Sequence, residues 1–169
     1  MSEALAPESV APLTLALYQP DIPQNCGTLL RLCACLGLDA AIIEPAGFPV
    51  SDRAFRRAGM DYLDRVAVVR HVNFSGFEAW RAAAGRRLVL LSTKASVPYC
   101  DFAYAAGDIL LVGRESAGVP DEVHASAEAR VIIPLRPQMR SLNVAVAASM
   151  VIGEALRQIG QEPRSNSAS

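Results

Sequence analysis

Short runs of continuous apolar residues recur along this chain, each followed by a segment carrying helix signals. Leu13–Tyr18, Ala40–Ile43, Val66–Val69, Leu88–Leu91, Ile109–Val112 and Val131–Ile133 read as strands. A strand that is apolar at nearly every position has no face to show to water. It belongs in a sheet covered on both sides, and such sheets are mostly parallel. The segments between supply the covers, as helices over Asn25–Leu36, Ser51–Gly59, Phe77–Ala84, Asp121–Ala127 and about Asn143–Ile159. Asn25 fits the N-cap of the first of these and Gly37 its stop. Residues 1–12 read as a flexible leader and 161–169, polar and small, as a disordered tail. Neither a repeat nor a linker divides 13–160, so the expected fold is one α/β domain with a mostly parallel sheet flanked by helices.

Composition narrows the function classes. The chain is 51% hydrophobic, which excludes disorder for its body, and 16 basic against 17 acidic residues leave a formal charge of −1. No global positive field therefore draws in nucleic acid. Lys94 is the only lysine, and the other basic residues are arginines, whose planar forks suit phosphate and carboxylate oxygens. Cys26, Cys33, Cys35 and Cys100 form no CxxC pair and stand far in sequence from His71 and His124, so no zinc site is expected. The three clustered cysteines read as small buried hydrophobes, the two histidines as bystanders, and Trp80 as core. The first twelve residues lack the basic start of a signal peptide, and Val144–Ile152 falls far short of the roughly 20 residues of a membrane span. These features lead us to expect a soluble, cytoplasmic protein without membrane or metal.

In open α/β sheets ligands bind outside the carboxyl ends of the strands. The segments leaving those ends are rich in glycine, proline and polar residues: 19–27, 92–94, 113–118 and 134–143. Common site signatures are missing from them. The turn after the first strand has no GxGxxG, no GxSxG occurs, and Gly113 and Gly118 have P-loop spacing but are followed by Val119 where lysine is required.

Three ordered segments together resemble the SPOUT superfamily of RNA methyltransferases. They are IPQNCGTLLRLCACLG (Ile22–Gly37), with Asn25, Gly27 and Arg31 in an N-x-G-x-x-x-R pattern, LLVGRESAGVP (Leu110–Pro120), and IIPLRPQMRSLNVAVAASMVIGEALRQ (Ile132–Gln158). Within that superfamily, IIEPAGFPVSDRAFRRAGMDY (Ile42–Tyr62) is similar to the subgroup of small bacterial tRNA wobble-position ribose 2′-O-methyltransferases, the TrmL type. The likeness runs from about Leu13 to Gly160. At one position the chain departs from the subgroup, with Arg114 standing where proline is usual. Arginine frees the backbone φ and adds a charge beside the site.

The resemblance implies a single-domain SPOUT fold with a C-terminal trefoil knot, a feature that periodicity alone would never suggest. It implies S-adenosyl-L-methionine, without a metal, as donor to a ribose 2′-hydroxyl at wobble position 34, cytidine or modified uridine, of tRNA-Leu isoacceptors. Another tRNA or rRNA position, or a catalytically idle RNA-binding homologue, remain the alternatives. Leu91, Gly113, Ile133, Leu135, Ser141 and Leu142 match the cofactor-binding positions. Arg31, Asn25, Glu115, Ser141 and Asn143 match the catalytic ones. A guanidinium keeps its proton below about pH 12, so Arg31 suits gripping a phosphate and steadying an alkoxide better than acting as a base. Asn25, Ser141 and Asn143 can equally be helix caps, and Glu115 can orient Arg31 or its own loop. Arg53, Arg56, Arg57, Arg136 and Arg140 would meet phosphates of the tRNA anticodon stem-loop, or simply form solvated faces. The last helix is apolar round most of its circumference until Glu154, which calls for burial on more than one side and fits the family's homodimer.

Overall fold

The computed structural model describes residues 11–57 and 60–160. The expected leader and tail therefore fall largely, and the end of the expected second helix entirely, outside the described residues. Seven strands form one sheet in the order β3-β2-β1-β6-β4-β7-β5, and every pairing is parallel. They are β1 (Thr14–Tyr18), β2 (Asp39–Ile43), β3 (Val68–His71), β4 (Leu88–Leu91), β5 (Val97–Pro98), β6 (Ile109–Val112) and β7 (Ala129–Ile132). The central strands are buried along their length, β1 and β6 at every position. That is the burial their uninterrupted apolar sequences demand.

Helices cover both faces. On one side α1 (Pro23–Leu36) packs against α5 (Val144–Ile159), burying Leu29, Leu30, Val151 and Ile152 over Leu15, Leu17 and Leu110. On the other, α3 (Phe74–Ala83) and α4 (Asp121–Ser126) bury Phe77 and Val123 over Ala16, Leu90 and Leu111. The short α2 (Asp52–Arg57), opened by the Ser51 hydroxyl accepting from the Ala54 amide, leads into a 3-10 turn at Leu63–Arg65. Gly37, with φ of +68°, ends α1 in the left-handed conformation that a side chain resists.

Several boundaries differ from the sequence reading. Helix α1 starts at Pro23 with Ile22 as its cap, so Asn25 is not the N-cap. Proline's fixed φ suits the first helical position, and it moves the start two residues upstream. Strand β3 sits two residues later than expected, because Val66 closes the 3-10 turn. Helix α3 begins at Phe74 under an Asn73 cap, and β5 gave no sequence signal. Cys35 is exposed, whereas Cys26 and Cys33 are buried. Trp80 is half-buried, packed on Phe77 and His71.

Candidate functional site

Strands β1 and β6 are neighbours, and the chain leaves them in opposite directions, from β1 toward β2 and from β6 toward β7. Such a switch point opens a crevice at the carboxyl ends. Here it is a cleft of about 600 Å³ walled by the segments following β1, β6, β4 and β7, and by the first turn of α5. Leu91, Ile133, Leu135 and Leu142 supply apolar wall, while Asn25, Glu115, Lys94, Arg114, Arg140 and His124 supply polar groups.

Hydrogen bonds bolt the segments together. The Asn143 side chain caps α5 by accepting from the Ala145 and Val146 amides, at 2.9 and 3.3 Å. Its Nδ2 donates to Asn25 Oδ1 at 3.1 Å, linking the first and third motifs across 118 residues. Between Asp21, the residue just ahead of the first motif, and the second motif the bonds are reciprocal. The Glu115 amide donates to Asp21 Oδ1 at 3.2 Å, and the Asp21 amide donates to Glu115 Oε2 at 3.4 Å. The Ser116 hydroxyl donates to Asp21 Oδ2. The 113–118 loop is closed by the Arg114 amide donating to Gly118 O at 3.1 Å and the Gly118 amide donating to Arg114 O at 2.8 Å. A Cβ at Gly113 would stand 2.7 Å from the Gly118 carbonyl carbon, so the loop can close this tightly only over a residue without a side chain.

Two carboxyl groups meeting this closely titrate as a pair. The hydrogen bond with the Glu115 side chain, seconded by the Ser116 hydroxyl, holds Asp21 down to about 2. Burial, then the bond with Asp21, pushes Glu115 upward. In the cleft lining, His124 Nε2 is buried without a hydrogen-bond partner among the described residues.

All the residues matched to cofactor binding, Leu91, Gly113, Ile133, Leu135, Ser141 and Leu142, line this one cleft, as do Asn25, Glu115, Asn143 and Arg140. Arg31 does not. Its exposed side chain faces a second, shallower hollow of about 210 Å³ with Ala34, Cys35, Asp61, Tyr62 and Arg65. Its guanidinium lies 5.9 Å from the Tyr62 ring centre, and Tyr62 Oη donates to Gly27 O at 2.6 Å. Within the one chain described, Glu115 is bonded to Asp21 and makes no contact with Arg31. Arg53, Arg56 and Arg57 lie on exposed positions of α2, off the cleft, with Arg56 paired to Asp64, and Arg136 is exposed beyond the cleft lining. Sequence reasoning gave no role to Asp21, Lys94 or His124. Position in the segments after β1 and β4 could have flagged the first two, but nothing local marks His124 as part of the cleft wall.

The chain matches the model of the SpoU rRNA Methylase family over residues 12–153. It is 79% identical over 146 residues to a protein of Beijerinckia indica subsp. indica named tRNA (cytidine(34)-2′-O)-methyltransferase, covering 86% of this chain and 91% of that one. A solved structure described as "Structural insights into the 2-OH methylation of C/U34 on tRNA" superposes with a TM-score of 0.78 at 39% identity, over 88% of this chain and 96% of that one. The SpoU methyltransferase AviRb of Streptomyces viridochromogenes, solved in complex with AdoMet, superposes at 0.77 with 26% identity, over 90% of this chain and 62% of that one. With the three motifs gathered as described, the chain belongs to the SpoU methylase family of SPOUT methyltransferases and is an enzyme.

Proposed function

We propose that this enzyme methylates the ribose 2′-hydroxyl of the wobble nucleotide, position 34, in tRNA-Leu isoacceptors, on cytidine or modified uridine, using S-adenosyl-L-methionine. The observation carrying this reading is the convergence of the three motif segments on one cleft at the sheet's switch point. The names of the similar proteins point to the same position. The lining suits the donor. Leu91, Ile133, Leu135 and Leu142 offer apolar wall to a flat base, backbone polar groups of the 113–118 and 134–143 segments lie alongside, and His124 Nε2 is an unmet polar atom in the wall. When bound, the sulfonium supplies an activated methyl group and needs no metal.

The chain's own residues then have to place the acceptor and manage its proton. Asn25 and Asn143, bonded to each other, border the ribose side, with Ser141 beside them. Arg31 grips a neighbouring phosphate and steadies the developing alkoxide. It sits off its own chain's cleft, so a second copy brings it there, and the site is completed in a homodimer. Leu142, Val146 and Met150, exposed at the start of α5, fit the contact surface. The trefoil knot and a cytoplasmic location belong to the same reading, as does tRNA contact by Arg53, Arg56, Arg57 and Arg136.

The test is nucleoside mass spectrometry of tRNA from a strain lacking the gene, in which ribose methylation at position 34 disappears. Unchanged position 34 with loss elsewhere rejects the target. Arg31→Ala abolishes transfer yet still binds S-adenosylhomocysteine. Mixed with the cleft variant Gly113→Val, itself inactive, it regains about a quarter of wild-type activity, as expected when one site in each mixed dimer is whole. No recovery rejects the shared site.

A further inference from the structure

The strands β6, β4 and β7 lie side by side, and the segment after each sends one cation to the same cleft: Arg114, Lys94 and Arg140. At roughly 4.8 Å between strands, the ends from which these segments leave spread across about 10 Å of the sheet. None of the three has an ion-pair or side-chain hydrogen-bond partner among the described residues, whereas Arg56, Arg81, Arg87 and Arg157 all pair with carboxylates. The carboxyl groups nearest Arg114 in the loop, those of Asp21 and Glu115, accept from each other's backbone amides and form no ion pair with it. Glu115 and Asp121 line the same cleft but pair with none of the three, so the cations stay available to an incoming anion.

Arg114 is held ready for one. The two backbone bonds with Gly118 fix its Cα, and proline, usual here in the subgroup, could not donate the first of them. Its guanidinium stands 5.8 Å from the centre of the Tyr18 ring, an attraction to the ring face that consumes no N–H donor. The fork thus keeps donors for a planar pair of anionic oxygens. We infer that Arg114, flanked by Lys94 and Arg140, clamps the phosphodiester backbone of the RNA beside the nucleotide being methylated. This rests on the proposed RNA substrate. The donor, with two positive groups and one carboxylate, gives three cations too little to balance, and a polyanionic strand gives enough. Because the chain's net charge is −1, such attraction has to be local.

The experiment is RNA binding by fluorescence anisotropy, with a labelled tRNA anticodon stem-loop, S-adenosylhomocysteine present, across a salt series. Each phosphate contact contributes about 0.7–0.9 to the slope of log K against log salt. Arg114→Gln, which keeps the backbone donor, lowers the slope by about that amount and leaves calorimetric S-adenosylhomocysteine affinity unchanged. Arg114→Lys keeps the slope, and Lys94→Gln lowers it independently, should Arg114→Gln fail to fold. An unchanged slope in both glutamine variants overturns the clamp. So does weakened S-adenosylhomocysteine binding with the slope intact, which would assign Arg114 to the donor's carboxylate. A phosphate contact ignores sequence, so methylation mapped to another nucleotide with the slope change preserved removes the position-34 reading alone. Position-34 methylation with no slope change removes the clamp alone.

Discussion

The two edges of the sheet use the same residue type in opposite ways. At the amino edge Arg81, only 7% exposed, donates to Glu78, to Glu128 and to the Arg86 carbonyl. Arg86 donates to Thr14 Oγ1 and Gly107 O, and Arg87 makes a two-pronged pair with Asp108. Burial works against the charge of Glu128, yet Arg81 and the Leu88 amide together hold its carboxyl below the usual range. At the carboxyl edge Lys94, Arg114 and Arg140 have no such partners among the described residues, and His124 Nε2 is unmet. Satisfied groups at one edge hold the strands together, and unsatisfied groups at the other wait for ligands.

The largest effect that would sharpen this contrast is Arg81→Gln. Removing a buried guanidinium from two carboxylates costs several kcal/mol in a closed site, but Glu128 is about half open to water, so about 2 kcal/mol is expected. Thermal unfolding should fall by about 4–8 °C, with S-adenosylhomocysteine affinity unchanged. Lost binding at wild-type stability would erase the division between the edges.

Next comes Asp21→Ala, which strips the acceptor from the Glu115 amide and the Ser116 hydroxyl. Losing bonds to a charged group costs about 1.5 kcal/mol, a tenfold change. It should appear in the donor's KM with kcat little moved, because Asp21 positions the loop, and it should be accompanied by a modest loss of stability at neutral pH, where the carboxylate is charged and bonded. A loss confined to kcat would place Asp21 in the chemistry instead. The same carboxyl has a pH signature. Its folded value, about 2, is below its unfolded one of 3.8, so the stability it contributes is complete above 3.8 and fades as pH falls toward 2. Wild type and Asp21→Asn should therefore converge in acid unfolding over that window, and a constant gap down to pH 2 would show that Asp21 is not held by these bonds.

Much of this arrangement could be read from the chain. The strands β1, β2, β4 and β6 are continuous apolar runs because both faces are covered, and the segments after β1, β4, β6 and β7 stood out by composition. Strand β3, at the edge, exposes Val69 and Arg70 and carries no such run, so its register slipped by two residues. Asn25 read as a cap because asparagine before an apolar helix usually is one, but Pro23 had already started the helix and left its side chain for Asn143. That bond, like Asp21 to Glu115, joins residues about a hundred positions apart, and sequence spacing holds no trace of it. Arg31 matches its motif, but on which side of α1 it would stand relative to the cleft depended on packing against Tyr62.

The smallest effects test whether the edges are independent. Thr14→Val removes one acceptor from Arg86 and should cost about 1 kcal/mol of stability, with RNA binding untouched. Arg140→Gln should lower the salt slope of RNA binding by about 0.7–0.9 and leave stability within about 0.5 kcal/mol. Strands of four or five residues hold the two edges roughly 13–16 Å apart, farther than side-chain contacts usually carry coupling. In the double variant the two losses should add to within about 0.3–0.5 kcal/mol in both unfolding and binding. A larger interaction energy would mean that the amino-edge network sets the shape of the cleft through the strands, and the two edges would then be one machine rather than two.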